Sequence, residues 1–194
     1  MRSTLPRRAR RGKLRPIMKG YFGIGVEGIS KPMNLGALTR TAHAFGASFV
    51  FTVAAVFDRR VANQADTSDA SASVPVYDWP TLDDLRLPVG CTMVGIELTP
   101  DAIELPSFRH PRAAAYILGP ERGSLSPEAT KLCEYVIKIP TKFCVNVALA
   151  GGLVMYDRVL SMGKYPPRPV AAGGPPDATL DPHNFGPPRL RSKR

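Results

Sequence analysis

Four side chains of this sequence carry groups suited to managing charge on oxygen: the amides of Asn34 and Asn146, the carboxylate of Glu121 and the guanidinium of Arg40. An amide fixes a hydroxyl or phosphate oxygen by directional hydrogen bonds, and a carboxylate orients a donor. A guanidinium stays protonated, so Arg40 can hold a phosphate or stabilise an oxyanion but is a poor proton acceptor. The four occur in three short segments: Asn34-x-Gly36-x-x-x-Arg40, Leu118-Gly119-Pro120-Glu121-Arg122-Gly123, and Ile139-Pro140-Thr141-Lys142-Phe143-Cys144-Val145-Asn146. Each residue also has an ordinary structural explanation. Asn34 suits a helix N-cap, Arg40 a solvated helix face, and Glu121 a local pair with Arg122. Asn146 fits least well as mere structure, because it opens an otherwise apolar stretch and a buried amide needs partners.

The elements around these segments give them a common location. Strands are expected at Tyr21–Val26, Ser48–Val53, Val74–Tyr77, Thr92–Leu98, Ala113–Leu118 and Tyr135–Ile139. Helical spacing predicts Leu35–Phe45, with Leu35, Leu38, Ala42 and Phe45 on one stripe and Arg40 pointing away from it. Further helices are expected at Thr81–Leu85, after the Ser126-Pro127-Glu128 start signal, and at Val145–Leu160. Alternation of this kind specifies an α/β domain with a mainly parallel sheet. All three segments then follow the carboxyl ends of strands and emerge on one edge, where open α/β sheets bind ligands.

One motif points elsewhere. Gly23-Ile24-Gly25-Val26-Glu27-Gly28 matches the letters of a dinucleotide fingerprint, but a basic stretch precedes it and Pro32 stands where its helix would already be running. These glycines are assigned to the first strand and its exit loop, and no nicotinamide or flavin site is expected.

The last helix is unusual in composition. From Val145 to Tyr156 only Asn146 is strongly polar, and Ala150, Gly151 and Gly152 lie at its centre. A surface helix would show a polar face. This one should be packed on more than one side, either as a central core helix or at a homodimer interface.

Charge separates the chain into three parts. Residues 1–19 hold eight Lys or Arg and no acid, and residues 164–194 hold six against Asp177 and Asp181. That leaves 12 basic and 14 acidic residues in 20–163, although the whole chain carries +10. The expected organisation is a near-neutral domain at 20–163 between basic tails at 1–19 and 164–194, the second rich in proline and glycine and too poor in apolar residues to fold. Basic tails suit a polyanion, because each phosphate neutralised releases counterions. The leader's composition also suits organelle import. Cys91, Cys133 and Cys144 form neither a disulfide framework nor a zinc spacing, and His43, His110 and His183 are isolated. No metal site, no membrane span and a reduced, cytoplasmic setting are expected.

Taken in order, the three segments resemble the SpoU (TrmH-like) branch of the SPOUT RNA methyltransferases. The resemblance covers about residues 20–162. It is carried by Asn34-Leu35-Gly36-Ala37-Leu38-Thr39-Arg40-Thr41-Ala42, by Ile117-Leu118-Gly119-Pro120-Glu121-Arg122-Gly123, and by Ile139-Pro140 with Val145-Asn146-Val147-Ala148 before Tyr156. It implies a Rossmann-like, mainly parallel sheet with a C-terminal deep trefoil knot, a homodimer, S-adenosyl-L-methionine as methyl donor, and tRNA or rRNA as substrate, tRNA being favoured slightly. By position, Arg40 matches the family's catalytic arginine, and Asn34, Glu121 and Asn146 match its site partners. Leu98, Thr99, Gly119, Ile139 and Val145 should hold the donor's adenine and ribose, largely through main-chain groups. Two features depart from the family pattern: Cys144 stands where a serine is usual, and the loop from Ile139-Pro140 to Asn146 is several residues short. The implied reaction is methyl transfer to a ribose 2′-hydroxyl. A base methyltransferase, or a non-catalytic RNA-binding or ribosome-assembly module of the same fold, is the alternative.

Overall fold

The computed structural model describes residues 20–56 and 74–163, with four isolated residues beyond. The chain divides into two units, 1–164 and 165–194. The second has no described helix or strand. The basic tail at 1–19 and nearly all of the one at 164–194 lie outside the described residues.

The first unit is built on a seven-stranded sheet: β1 (Tyr21–Glu27), β2 (Phe49–Val53), β3 (Val76–Trp79), β4 (Thr92–Ile96), β5 (Ile103–Glu104), β6 (Ala113–Leu118) and β7 (Tyr135–Lys138). Their spatial order is β3-β2-β1-β6-β4-β7-β5, and every pairing between them is parallel. The carboxyl ends of all seven therefore face one edge. The two-residue β5 is too short for its periodicity to be read from sequence.

Side-chain alternation divides the core into two layers. Ile24, Val26, Val50, Val94, Tyr116 and Leu118 face one side, where they pack with Leu38 and Ala42 of α1 (Pro32–Phe45) and with Val147, Ala150, Val154 and Met155 of the last helix. Phe49, Phe51, Met93, Ala115 and Ile117 face the other, against Leu125 and against Ala129 of α2 (Pro127–Leu132). The glycines of the apparent dinucleotide motif are explained here. A Cβ on Gly23 would stand 2.2 Å from the Phe49 ring, and one on Gly25 would stand 2.4 Å from Phe51. They alternate with Ile24 and Val26 because aromatic rings of β2 lie over the strand. Gly28 follows in the exit turn with φ +62°.

Three helical expectations shift. The first helix begins at Pro32 rather than Leu35, since proline is tolerated at the first helical position. Asn34 is thus inside its first turn and does not cap it. The last helix, α3 (Val147–Met162), begins two residues late because Asn146 serves as its N-cap. Residues 81–85 form turns instead of a helix. Thr81 bonds to Asp84, and the Arg86 guanidinium takes the carbonyls of Asp83 and Leu85. A segment this short cannot nucleate a helix against such competition.

α3 is not enclosed within one chain. Val147, Ala150, Gly151, Val154, Met155 and Arg158 are buried, but Leu149 and Tyr156 are about half exposed (55% and 49%). The small residues do allow close approach: a Cβ on Gly151 would lie 2.5 Å from Leu38.

Arg158, 1% exposed, anchors the far end of α3. Its guanidinium donates to the carbonyls of Pro111, Arg112 and Tyr21 and to the Tyr116 hydroxyl. It also lies 5.1 Å from the centre of the Phe22 ring. Tyr116 meets His110 Nδ1 at 2.6 Å, and His110 Nε2 meets Asp157 at 2.9 Å. With His110 neutral, as its burial favours, the run has one sense: Arg158 donates to Tyr116, Tyr116 to His110, and His110 to Asp157.

Candidate active site

At the carboxyl edge, the loops after β1, β4, β6 and β7 surround a cavity of about 230 Å³. Its walls are apolar at Ile96, Leu98, Leu118, Ile139, Val145, Val147 and Ala150, and polar at Lys31, Asn34, Glu97, Glu121, Thr141 and Asn146.

Glu121 is the hub. One carboxylate oxygen accepts from the Ser30 backbone N–H and hydroxyl, both at 3.0 Å; the other accepts from the Lys31 N–H at 3.0 Å and the Asn34 amide at 2.9 Å. α1 has no side-chain cap of its own. A carboxylate from the β6 loop therefore covers its positive end, where an anion is favoured. Burial pushes the Glu121 pKa up, but the donors from Ser30 and Asn34 outweigh it and bring the value down to about 2. Glu121 is a fixed anion at neutral pH and pairs with these groups rather than with Arg122.

From Glu121 the connection continues to the third segment. Asn34 Oδ1 accepts from the Asn146 amide at 3.1 Å, while Asn146 Oδ1 accepts from the Ala148 N–H at 2.9 Å. Asn146 is thus both a helix cap and a partner of Asn34. Three of the four residues singled out in the sequence are joined in one relay: Glu121, Asn34, Asn146.

Arg40 is placed differently. It is exposed on α1 and is not among the residues lining the cavity. Six residues beyond Asn34, it is about 9 Å farther along the helix and about 240° around it. It shares its outward stripe with Met33, Ala37 and Ala44, all exposed. Of the other expected residues, Leu98, Gly119, Ile139 and Val145 line the cavity. Thr99 does not; its carbonyl accepts from Lys138 Nζ at 3.1 Å.

Two carboxylates were missed. Glu97 accepts from the N–H groups of Leu98 at 3.0 Å and Leu125 at 2.7 Å. Glu27 accepts from the Ser126 N–H at 2.9 Å and hydroxyl at 2.6 Å. With Glu121 they hold the loop between β6 and α2 to three other segments of the edge. Their only sequence signal is an acid in the last position of one strand and just past the end of another.

Such a site, with its apolar walls, backbone groups and anchored amides, fits a small cofactor with a flat ring and a polar tail. Among the described residues no group of His, Cys, Asp and Glu could hold a metal.

The model of the SpoU rRNA methylase family matches residues 22–156. The chain belongs to the SpoU family. Similar proteins include the mouse tRNA (guanosine(18)-2'-O)-methyltransferase TARBP1, 27% identical over an alignment of 145 residues that covers 66% of this chain and 9% of that protein. Another is the 23S rRNA (guanosine-2'-O-)-methyltransferase RlmB of Nitrosomonas europaea, 28% identical over 144 residues, 68% of this chain and 53% of that one. The chain thus spans about half the length, or far less, of these two relatives. Among solved structures, the SpoU methyltransferase AviRb from Streptomyces viridochromogenes, in complex with the cofactor AdoMet, superposes with a TM-score of 0.66 at 22% identity. The match covers 75% of this chain and 59% of that one, and it establishes a shared fold.

Proposed function

We propose that this chain is a cytoplasmic, S-adenosylmethionine-dependent methyltransferase acting on a ribose 2′-hydroxyl of RNA. The observation that carries the reading is the relay from Glu121 through Asn34 to Asn146 along the wall of the carboxyl-edge cavity. The names of the two curated relatives, one a tRNA and one an rRNA 2'-O-methyltransferase, support it. Of the two substrates, tRNA is favoured slightly.

Bound S-adenosylmethionine supplies a methyl group on a positively charged sulfur. Leu98, Gly119, Ile139 and Val145 would hold its adenine and ribose through main-chain groups and apolar contact, and they line a cavity suited to that. Asn34 and Asn146 orient the entering hydroxyl. Arg40 would grip the adjacent phosphate and stabilise the oxygen while its proton passes to solvent water; the O–C bond would form as the S–C bond breaks, leaving a neutral thioether. Glu121, already ionised, keeps Asn34 in one amide orientation.

Arg40 reaches a cavity in a homodimer. α1 exposes Met33 (77%) and Arg40, and α3, which packs against α1, exposes Leu149 and Tyr156. An apolar face of this kind suits a second copy. The C-terminal trefoil knot implied by the resemblance is part of the same proposal. It is supported by β7 lying between β4 and β5, and by α3 returning along the connection from β4 to β6, where Arg158 bonds the Pro111 and Arg112 carbonyls. Residues 20–163 form the methyltransferase domain, and the basic stretches 1–19 and 164–194 contact RNA phosphates.

The test is calorimetry with S-adenosylmethionine, followed by mapping of 2′-O-methyl sites in total RNA with and without the chain. Cofactor binding and at least one dependent site are expected. Absence of cofactor binding would leave an RNA-binding module, and a methylated base would move the reaction off the ribose.

A further inference from the structure

We propose that Phe143 is a stacking platform for an unpaired base of the RNA, set at the mouth of the carboxyl-edge cavity. The inference rests on the proposed RNA substrate but not on methyl transfer.

Phe143 is 74% exposed. Single exposed apolar residues are ordinary; the position of this one is not. Its neighbours Thr141 and Cys144 both line the cavity, so its Cα is one residue step, about 3.8 Å, from the wall. That places the ring within the span of one nucleotide from a ribose bound at the mouth.

The platform is held still. The Thr141 hydroxyl donates to the Phe143 carbonyl at 2.9 Å, and the Thr141 N–H donates to the Ile139 carbonyl at 2.7 Å. Three residues on, Asn146 caps α3. With both ends of the turn fixed, the backbone that carries the exposed ring needs little ordering on binding. Exposed Lys142 precedes the ring, and exposed Lys31 and Arg122 lie on the loops after β1 and β6. Cations along a backbone path beside an aromatic face are the pattern by which single strands are held, because every base has a π-face. A duplex hides those faces, so the substrate region is unpaired.

The test uses the full chain with a labelled oligoadenylate and an abasic ribose-phosphate oligomer of equal length. Phe143→Ala is expected to weaken oligoadenylate binding roughly 5- to 100-fold, with abasic binding unchanged and Phe143→Tyr near wild type. Equal loss on both oligomers, or no loss on either, overturns the proposal. Sedimentation of the same variants reads the other use of the ring: a dimer dissociated by Phe143→Ala would assign Phe143 to a second copy and overturn it too. Failure of S-adenosylmethionine binding in the wild type would remove the enzyme, yet the contrast between the oligomers would still stand or fall on its own.

Discussion

Glu121 and Asn34 are 87 residues apart in sequence and joined at 2.9 Å. This bond fixes which end of the Asn34 amide donates, and so leaves its oxygen to receive Asn146. The carboxylate that sets the amide also covers the start of α1. Stability and site geometry therefore depend on one charged group.

Glu121→Gln should lower stability by about 1–2 kcal/mol at neutral pH, allowing for partial exposure. The folded pKa, about 2, is depressed from an ordinary 4.5. The stabilisation is thus complete above about pH 4.5 and is lost as pH falls toward 2. Urea denaturation across that window should show a steep loss in the wild type and a flatter profile in the variant. Identical slopes would assign the acid limb to other carboxylates.

Arg40→Ala should abolish methyl transfer while leaving S-adenosylmethionine affinity nearly intact, since its proposed partner is the substrate phosphate and not the methyl donor. Arg40→Lys should recover little, because an ammonium cannot reproduce the guanidinium fork. Parallel calorimetry and single-turnover assays check both. Normal turnover in Arg40→Ala would remove it from the mechanism.

The sheet, its edge loops and the position of the three residues now joined in the relay are legible in the sequence, because strand alternation and loop position are local signals. The partners of Asn34 are not. Its bond to Glu121 depends on β1 and β6 lying side by side, which no local pattern reports. The same holds for Arg158: its place near the end of an apolar helix suggests a solvated cation, yet it is among the most buried side chains because carbonyls of another loop meet it there. The helix starts at Pro32, ahead of its apolar stripe, because the groups that cover its first turn come from a different segment.

Gly119→Ala tests the loop after β6. A Cβ there would stand 2.7 Å from the Leu125 nitrogen and 2.9 Å from the Ser124 carbonyl carbon. Both are backbone atoms, and the Leu125 N–H is tied to Glu97. The loop must shift, so stability should fall by about 1–3 kcal/mol and S-adenosylmethionine affinity at least tenfold. Thermal melts and calorimetry read the two effects; unchanged values in both would mean the loop has slack.

Leu149→Glu places a charge on the outward face of α3 without touching the core. If that face joins two copies, sedimentation should change from dimer to monomer, and methyl transfer should fall with it, because Arg40 would lose its partner cavity. A monomeric wild type at micromolar concentration would sink the proposed assembly.

The last prediction concerns the end of α3 remote from the cavity. His110 is 6% exposed, and burial lowers its pKa against the opposing pull of Asp157. A depressed histidine stabilises the fold in its neutral form: the contribution is complete above the unfolded value near 6.5 and is lost as pH falls below it toward the folded value. Protonation would also force a second donor against Tyr116, whose hydroxyl already donates to His110 and is held protonated, burial pushing its pKa up to about 12. Thermal midpoints should therefore drop between about pH 7 and 5, within the range of an ordinary histidine. His110→Gln should lower the midpoint overall but flatten that slope, since glutamine does not titrate. Arg158→Met should destabilise more strongly, by about 3 kcal/mol or more, because the carbonyls of Pro111 and Arg112 lose their donor inside the fold. A slope that persists in His110→Gln would assign the acid sensitivity elsewhere and leave the Arg158 network purely structural.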